Sequence, residues 1–277
     1  MANIKKLGKK ILPPIVIDFL KLFQKNKQGT AIVWNESYES WDKAISISSG
    51  YDDKAILEKT KEALLQVKSG AFAYERDTVL FEKLELNWNL IACLQKVIIE
   101  TGNILSILDF GGSLGSTYFQ NKSFLPNIIE WSVVEQFHVV SCGQENFEDE
   151  KLKFYPTIEN CKLERNPSVL LLGSVLPYME DPINWIEIFL KYEFKYIIID
   201  RTSFTEDSPN RLTLQTVPSE IYSATYPCWF FNEERFLSLF SHKYDIISEV
   251  QNMVNPSNFY NENGNKMYWN GFFLKLK

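Results

Sequence analysis

The spacing of apolar positions changes near Gly102, and the change divides the chain. From Asp53 to Val67, Ile56, Leu57, Leu64 and Leu65 recur at helical spacing, which predicts an amphipathic helix. A second helix is predicted from about Val79 to Glu100. Beyond Gly102 short apolar runs take over, namely ILSILDF, EWSVVEQ, KLKFYPT, SVLLLGSV, KYIIIDR, YDIISEV and GFFLKLK, with helical stretches among them. Such alternation predicts an open α/β sheet, mostly parallel, with helices on both faces. Ligands of these sheets bind at the carboxyl ends of the strands, near the switch point. The stretch from Thr202 to Asn232 breaks the alternation; it is too long and polar for a minimal connection and is expected to be a lid-like insertion.

Composition narrows the class. At 277 residues, 45% of them hydrophobic, the chain is long enough for one catalytic-sized domain with an N-terminal addition. Cys93, Cys142, Cys161 and Cys228 show no CxxC spacing, and His138 and His242 are the only histidines, so no metal site is expected and a reducing cytoplasm is the simplest location. Charge is unevenly spread. Seven lysines and one acid up to Gln28 give +6, leaving −12 on the remainder against the chain's net −6. A body so acidic repels nucleic acid. The basic segment's apolar run, Ile11 to Leu20, is interrupted by Pro13, Pro14 and Asp18 and is too short to span a bilayer. Ile15, Phe19, Leu22 and Phe23 share a helical face, so the segment either docks on its own domain or lies on an anionic membrane surface. The expected organisation is a basic amphipathic segment at 1–28, a helical extension at 29–101 and a cofactor-binding domain at 102–277 that carries the insertion at 202–232.

The candidate chemistry begins where the first strand of that domain meets its first helix. There the spacing is D-x-G-x-S-x-G, Asp109, Gly111, Ser113 and Gly115, with Gly112 between. A dinucleotide turn offers N–H groups to a pyrophosphate and has no use for a nearby carboxylate. A carboxylate repels a diphosphate and attracts an ammonium. S-adenosylmethionine carries an ammonium and a sulfonium and no phosphate, so it is the cofactor expected here. The second strand ends at Glu135 and Gln136, where Glu135 is placed to accept from ribose hydroxyls. The fourth ends LLLGSVLPYMEDP, bringing Gly173 and Ser174 towards the methionine moiety or the transferred methyl.

LDFGGSLGS, WSVVEQ, LLLGSVLPYMEDP, IIIDRTSF and YPCWFF, with GYDD and YERD upstream, resemble a family of methyltransferases typically encoded among bacterial surface-polysaccharide genes. The resemblance covers most of the chain after about Trp34, and the broader class I methyltransferase pattern matches at Asp109, Gly111 and Gly115 but departs at Ser113, where many members have glycine. It implies a Rossmann-like class I methyltransferase sheet of about seven strands, S-adenosylmethionine as cofactor, and a glycan or glycan intermediate as acceptor.

Methyl transfer is an in-line displacement that needs no protein nucleophile, although a sugar hydroxyl gains from a general base. Tyr178, Asp200 and Arg201 stand near strand ends as candidates for the chemistry, and Arg76 and Asp77 of YERD as candidates for the substrate. Tyr222, Tyr226 and Trp229 of the insertion are expected either to stack on a sugar face or to anchor a lid. His138 falls on the helix after the second strand and reads as a surface residue. O-methylation is the reading the residues favour. A nicotinamide-dependent sugar-nucleotide oxidoreductase is the rival that Asp109 and the missing GxGxxG oppose, and an inactive methyltransferase-like scaffold at the membrane is a third.

Overall fold

The computed structural model describes residues 33–35, 37–48, 53–102, 105–125, 129–217, 224–250, 259–261 and 263–277. The segment 1–28, residues 50–52 of GYDD and Tyr222 lie outside the described residues.

Upstream of the sheet come β1 (Val33–Asn35), α1 (Trp41–Ile47) and α2 (Asp53–Lys68), the last over the helical pattern read from Ile56 to Leu65. The helix expected from Val79 begins later. Val79–Phe81 (β3) pairs antiparallel with Tyr74–Arg76 (β2), and Tyr74 and Phe81 stack with ring centroids 4.6 Å apart. Asp77 and Thr78 make the hairpin turn at φ 50° and 69°. That cross-strand aromatic pair outweighs the helical period read across it. Helix α3 (Trp88–Thr101) starts at Asn87, whose side chain accepts from the Leu90 N–H, and stops at Gly102 in the left-handed region.

All seven apolar runs are strands of one sheet. They are β4 (Leu105–Phe110), β5 (Ile129–Val134), β6 (Leu152–Tyr155), β7 (Val169–Gly173), β8 (Tyr196–Thr205), β11 (Tyr244–Glu249) and β13 (Lys266–Leu276). Between them run α4 (Ser116–Asn121), α5 (Phe137–Asn146), α6 (Ile158–Glu164), α7 (Pro182–Lys191) and α8 (Glu233–Ser238). The spatial order is β6-β5-β4-β7-β8-β13-β11; the first five strands are mutually parallel, and β13 is antiparallel to both β8 and β11. A short β12 (Phe259–Tyr260) also pairs with β13. The fold is therefore a mixed α/β one with a mostly parallel central sheet.

Alternation along each strand feeds two cores. Ile107, Val169, Leu171 and Ile198 pack with Leu64, Leu90, Leu94 and Val97 on one face. Leu108, Leu170, Leu172, Ile197 and Ile199 pack with Ile186, Phe189, Phe236 and Phe240 on the other. Each such aliphatic side chain removed from water contributes about 1.5–3 kcal/mol.

The stretch read as a polar insertion is built largely of strands. β8 runs past the end of β7, and its Phe204 and Thr205 pair in parallel with Phe231 and Asn232 of β10 (Ala224–Asn232). β9 (Arg211–Val217) pairs antiparallel with β10 along its length, and β1 closes the far edge of β9. β-Branched and aromatic residues on both faces, with Thr213 and Gln215 buried, satisfy this added sheet where the polar composition suggests a lid-like insertion. It stands at the carboxyl end of β8, beside the 3-10 turn Leu176–Tyr178 that follows β7.

Candidate functional site

The site begins with the turn after β4. Gly111 has φ 71°, and a Cβ there would come within 2.5 Å of Val175 Cγ2, so both conformation and space require glycine. A Cβ on Gly112 would lie 2.6 Å from the Asp109 carboxyl group, which places that carboxyl directly beneath the turn. Asp109 is 2% exposed and accepts from Trp131 Nε1 at 3.1 Å. No lysine or arginine nitrogen lies within ion-pair distance of it among the described residues. Burial pushes its pKa up to about 7, against the lowering influence of the Trp131 hydrogen bond and of Arg201.

The turn is pinned to the end of β5. Gly111 N–H donates to the Val134 carbonyl at 2.9 Å, and Ser113 N–H donates to Glu135 Oε1 at 3.1 Å. The other Glu135 oxygen accepts from Gln136 N–H at 2.8 Å. Glu135 is thus a half-buried carboxylate fixed by two backbone donors, and Gln136 beside it is exposed. Gly115 closes the turn at φ 87°, its N–H donating to the Gly112 carbonyl at 3.0 Å.

A second group forms where β7 ends against the middle of β8. Gly173 pairs with Asp200 across the strands, Ser174 N–H donates to the Asp200 carbonyl at 2.9 Å, and Ser174 Oγ donates to the Arg201 carbonyl at 3.3 Å. Asp200, 4% exposed, accepts from Asn87 Nδ2 at 2.9 Å and has Arg201 Nε 3.1 Å away. Ser113, Ser174 and Arg201 all have positive φ, at 51°, 59° and 50°. A non-glycine residue held there costs on the order of 1–3 kcal/mol, and such strain concentrates where ligands bind. Ser113 and Ser174 follow β4 and β7, and Arg201 lies beside them midway along β8.

The third group is aromatic. Trp34, Gln215 and Tyr226 occupy one cross-strand row of β1, β9 and β10. Gln215 is 4% exposed; its Oε1 accepts from Trp34 Nε1 at 3.0 Å and from Tyr178 hydroxyl at 2.9 Å, and its Nε2 donates to Tyr226 hydroxyl at 2.9 Å. The Tyr178 and Tyr226 rings meet edge to face at 5.4 Å, while Tyr178 keeps 38% of its surface exposed. Trp229 is engaged elsewhere, donating from Nε1 to the Met179 carbonyl at 3.1 Å and stacking on Trp41.

The structure thus gathers the expected residues into a glycine turn with Asp109 and Glu135, a charged knot at Gly173, Ser174, Asp200 and Arg201, and an aromatic wall at Tyr178 and Tyr226. Arg76 instead turns to Glu85 at 3.3 Å and lies over the Tyr74 ring, and Asp77 sits in the hairpin turn. The residue of YERD that reaches the glycine turn is Glu75. It is 4% exposed, accepts from Thr78 N–H at 3.1 Å, and takes a hydrogen bond from the Ser116 side chain at the first position of α4. Burial raises its pKa. His138 is exposed on α5.

Sequence reasoning missed Glu75, Asn87, Trp131 and Gln215. Asn87 had a legible signal, an Asn immediately before an apolar-periodic run. Trp131 looks like any core residue of a buried strand, and nothing local distinguishes Gln215 within a polar stretch.

No protein-family model matches the chain, and no curated protein does. Among solved structures, an S-adenosylmethionine-dependent methyltransferase from Clostridium acetobutylicum is 12% identical over 69% of this chain and 92% of its own, with a TM-score of 0.44. The N-terminal domain of EvdMO1 with S-adenosylhomocysteine bound is 8% identical over 82% and 98%, TM-score 0.47. CalS10, an amino pentose methyltransferase from Micromonospora echinaspora, is 8% identical over 70% and 92%, TM-score 0.42. These likenesses are too distant to speak for the chemistry of this chain.

Proposed function

We propose that the protein is an S-adenosylmethionine-dependent methyltransferase acting on a hydroxyl oxygen of a sugar or glycan intermediate. The observation that carries the reading is Asp109: a buried carboxyl group beneath a tight glycine turn, at the carboxyl end of a parallel strand, with no cation in ion-pair contact among the described residues. Such a group favours a cationic ligand at the turn and opposes a diphosphate, which is the distinction between this cofactor and a nicotinamide dinucleotide. Glu135, fixed at the end of the next strand, supports a ribose at its carboxylate. Gly111, Gly112, Ser113 and Gly115 form a tight turn in which side chains at the first two positions would collide with Val175 and Asp109.

When bound, the cofactor supplies a methyl carbon activated by a sulfonium. In this reading Asp109 holds the ammonium, Glu135 with Gln136 lies at the nucleoside, and Gly173 and Ser174 flank the methyl. Most of the acceleration comes from holding the acceptor oxygen in line. Of the residues expected at the chemistry, Tyr178 commits its proton to Gln215 and an arginine has no basic form near neutral pH, so we assign the acceptor's proton to Asp200. Tyr178 and Tyr226 form the wall against which a sugar ring packs.

Thermal unfolding with added ligands tests this. S-adenosylmethionine and S-adenosylhomocysteine should each raise the melting temperature, since a ligand at ~100 times its Kd stabilises by about 2.7 kcal/mol. NAD and NADH should not. Stabilisation by NADH alone would remove the reading.

A further inference from the structure

We propose that Arg201 is an oxyanion-binding residue of the acceptor site, so that the acceptor carries a carboxylate or phosphate near the oxygen that is methylated. The inference rests on the methyl-transfer reading above. The Arg201 Nε end is buried and held by charge alone: it makes no hydrogen bond but forms an ion pair with Asp200 at 3.1 Å, and Asp200 is held in turn by Asn87, the residue that caps α3. The backbone is fixed as well, at φ 50°, with the carbonyl taken by Ser174 Oγ. The far end differs. Among the described residues neither terminal nitrogen has a hydrogen-bond acceptor, although the side chain keeps 21% of its surface exposed.

That end lies over the carboxyl end of β7. A Cβ on Gly173 would meet one terminal nitrogen at 3.6 Å, so the absence of a side chain at Gly173 keeps the guanidinium's flank clear. A planar fork anchored at its stem and open at its tip matches the two oxygens of a carboxylate or phosphate. Position assigns the oxyanion to the acceptor, because Gly173 and Ser174 flank the methyl in the proposed reading, whereas the cofactor's amino-acid end is assigned to Asp109 across the turn after β4. The charge balance agrees. A sulfonium brought beside a guanidinium adds a second cation, and an acceptor anion offsets it. The body of the protein is strongly acidic outside the N-terminal segment, so an anionic acceptor needs a dedicated cation to be held there.

The test uses the full chain first saturated with S-adenosylhomocysteine and then titrated calorimetrically with inorganic phosphate, with D-glucuronate, and with D-glucose as the uncharged control. The wild type should bind both anions more tightly than glucose. Arg201→Met should weaken anion binding at least tenfold while leaving S-adenosylhomocysteine affinity within twofold, and Arg201→Lys, which keeps the charge without the fork, should fall between. Parallel loss of S-adenosylhomocysteine affinity in Arg201→Met would reassign the fork to the cofactor's carboxylate and overturn the proposal. Equal anion binding by wild type and variant would overturn it too. A wild type that binds the anions but not S-adenosylhomocysteine would instead sink the methyl-transfer reading, and retained cofactor binding certifies that each variant is folded.

Discussion

The two ends of the central sheet solve the same problem in opposite ways. At the amino end of β8, Glu100 takes hydrogen bonds from Tyr196 at 2.6 Å and Lys275 at 2.7 Å and an ion pair from Lys96 at 3.0 Å, and these partners hold its pKa down at about 2. At the carboxyl end, Asp109 is buried with a single hydrogen-bond donor among the described residues, burial pushes its pKa up to about 7, and three non-glycine residues nearby sit at positive φ. One acid has more partners than it needs and the other fewer. The contrast teaches that the carboxyl end is arranged around something other than its own stability, since strain and an underpaired acid persist only where the surroundings impose them.

Several changes would break or sharpen that contrast. The largest effect is expected at the turn itself. Gly112→Ala drives a methyl group to 2.6 Å from the Asp109 carboxyl, and overpacking of this kind costs about 1–3 kcal/mol. Urea unfolding should show that loss, and S-adenosylhomocysteine binding should fall beyond detection.

Next comes Asp109→Asn, which keeps an acceptor for Trp131 Nε1 but removes the charge. Folded Asp109 binds its proton more tightly than an unfolded aspartate, so its contribution to stability is present below about pH 4 and is lost as pH rises through about 7. Asp109→Asn should therefore be more stable than wild type at pH 8, by about 1–3 kcal/mol, and should flatten the decline in wild-type stability between pH 4 and pH 7. The opposite sign would show that the acid is already compensated.

Gln215→Leu strips the shared amide from Trp34, Tyr178 and Tyr226. Each part-buried hydrogen bond lost contributes about 0.5–1.5 kcal/mol, and the loss should appear in urea unfolding with little change in S-adenosylhomocysteine affinity, since the amide belongs to the acceptor wall. Smallest is Glu100→Gln at the other end of the sheet. It should leave cofactor affinity unchanged and move the melting temperature less than any change above, because an ion-pair network whose lysines are open to solvent contributes little.

The sequence carried the sheet well because its five parallel strands are buried on both faces, whereas β11 is exposed beyond Tyr244 and shows only as a β-rich edge run. The parallel strands therefore appear as short runs of apolar residues, and all seven runs are strands. The glycine turn was legible for a related reason, since Gly111 and Gly112 occupy places where a Cβ collides with Val175 or Asp109. What stayed hidden depends on contacts between distant residues. Nothing near Glu75 marks it as the YERD residue that meets Ser116, and Arg76, the more conspicuous residue, pairs with Glu85 instead. Gln215 matters because β1, β9, β10 and the turn after β7 converge on one amide, a relation among residues up to 181 positions apart. The strands of 202–232 are masked in the sequence because polar residues on a two-faced added sheet imitate a lid-like insertion.

The most direct test of the cofactor reading is calorimetric titration of wild type and Asp109→Asn with S-adenosylhomocysteine at pH 6 and pH 8. Wild type should bind more tightly at pH 8, where Asp109 is ionised to receive the ammonium, and Asp109→Asn should lose about 1–3 kcal/mol of binding at pH 8 and show little dependence on pH. Equal affinity of the two proteins at both pH values would contradict the assignment of Asp109 to the cofactor.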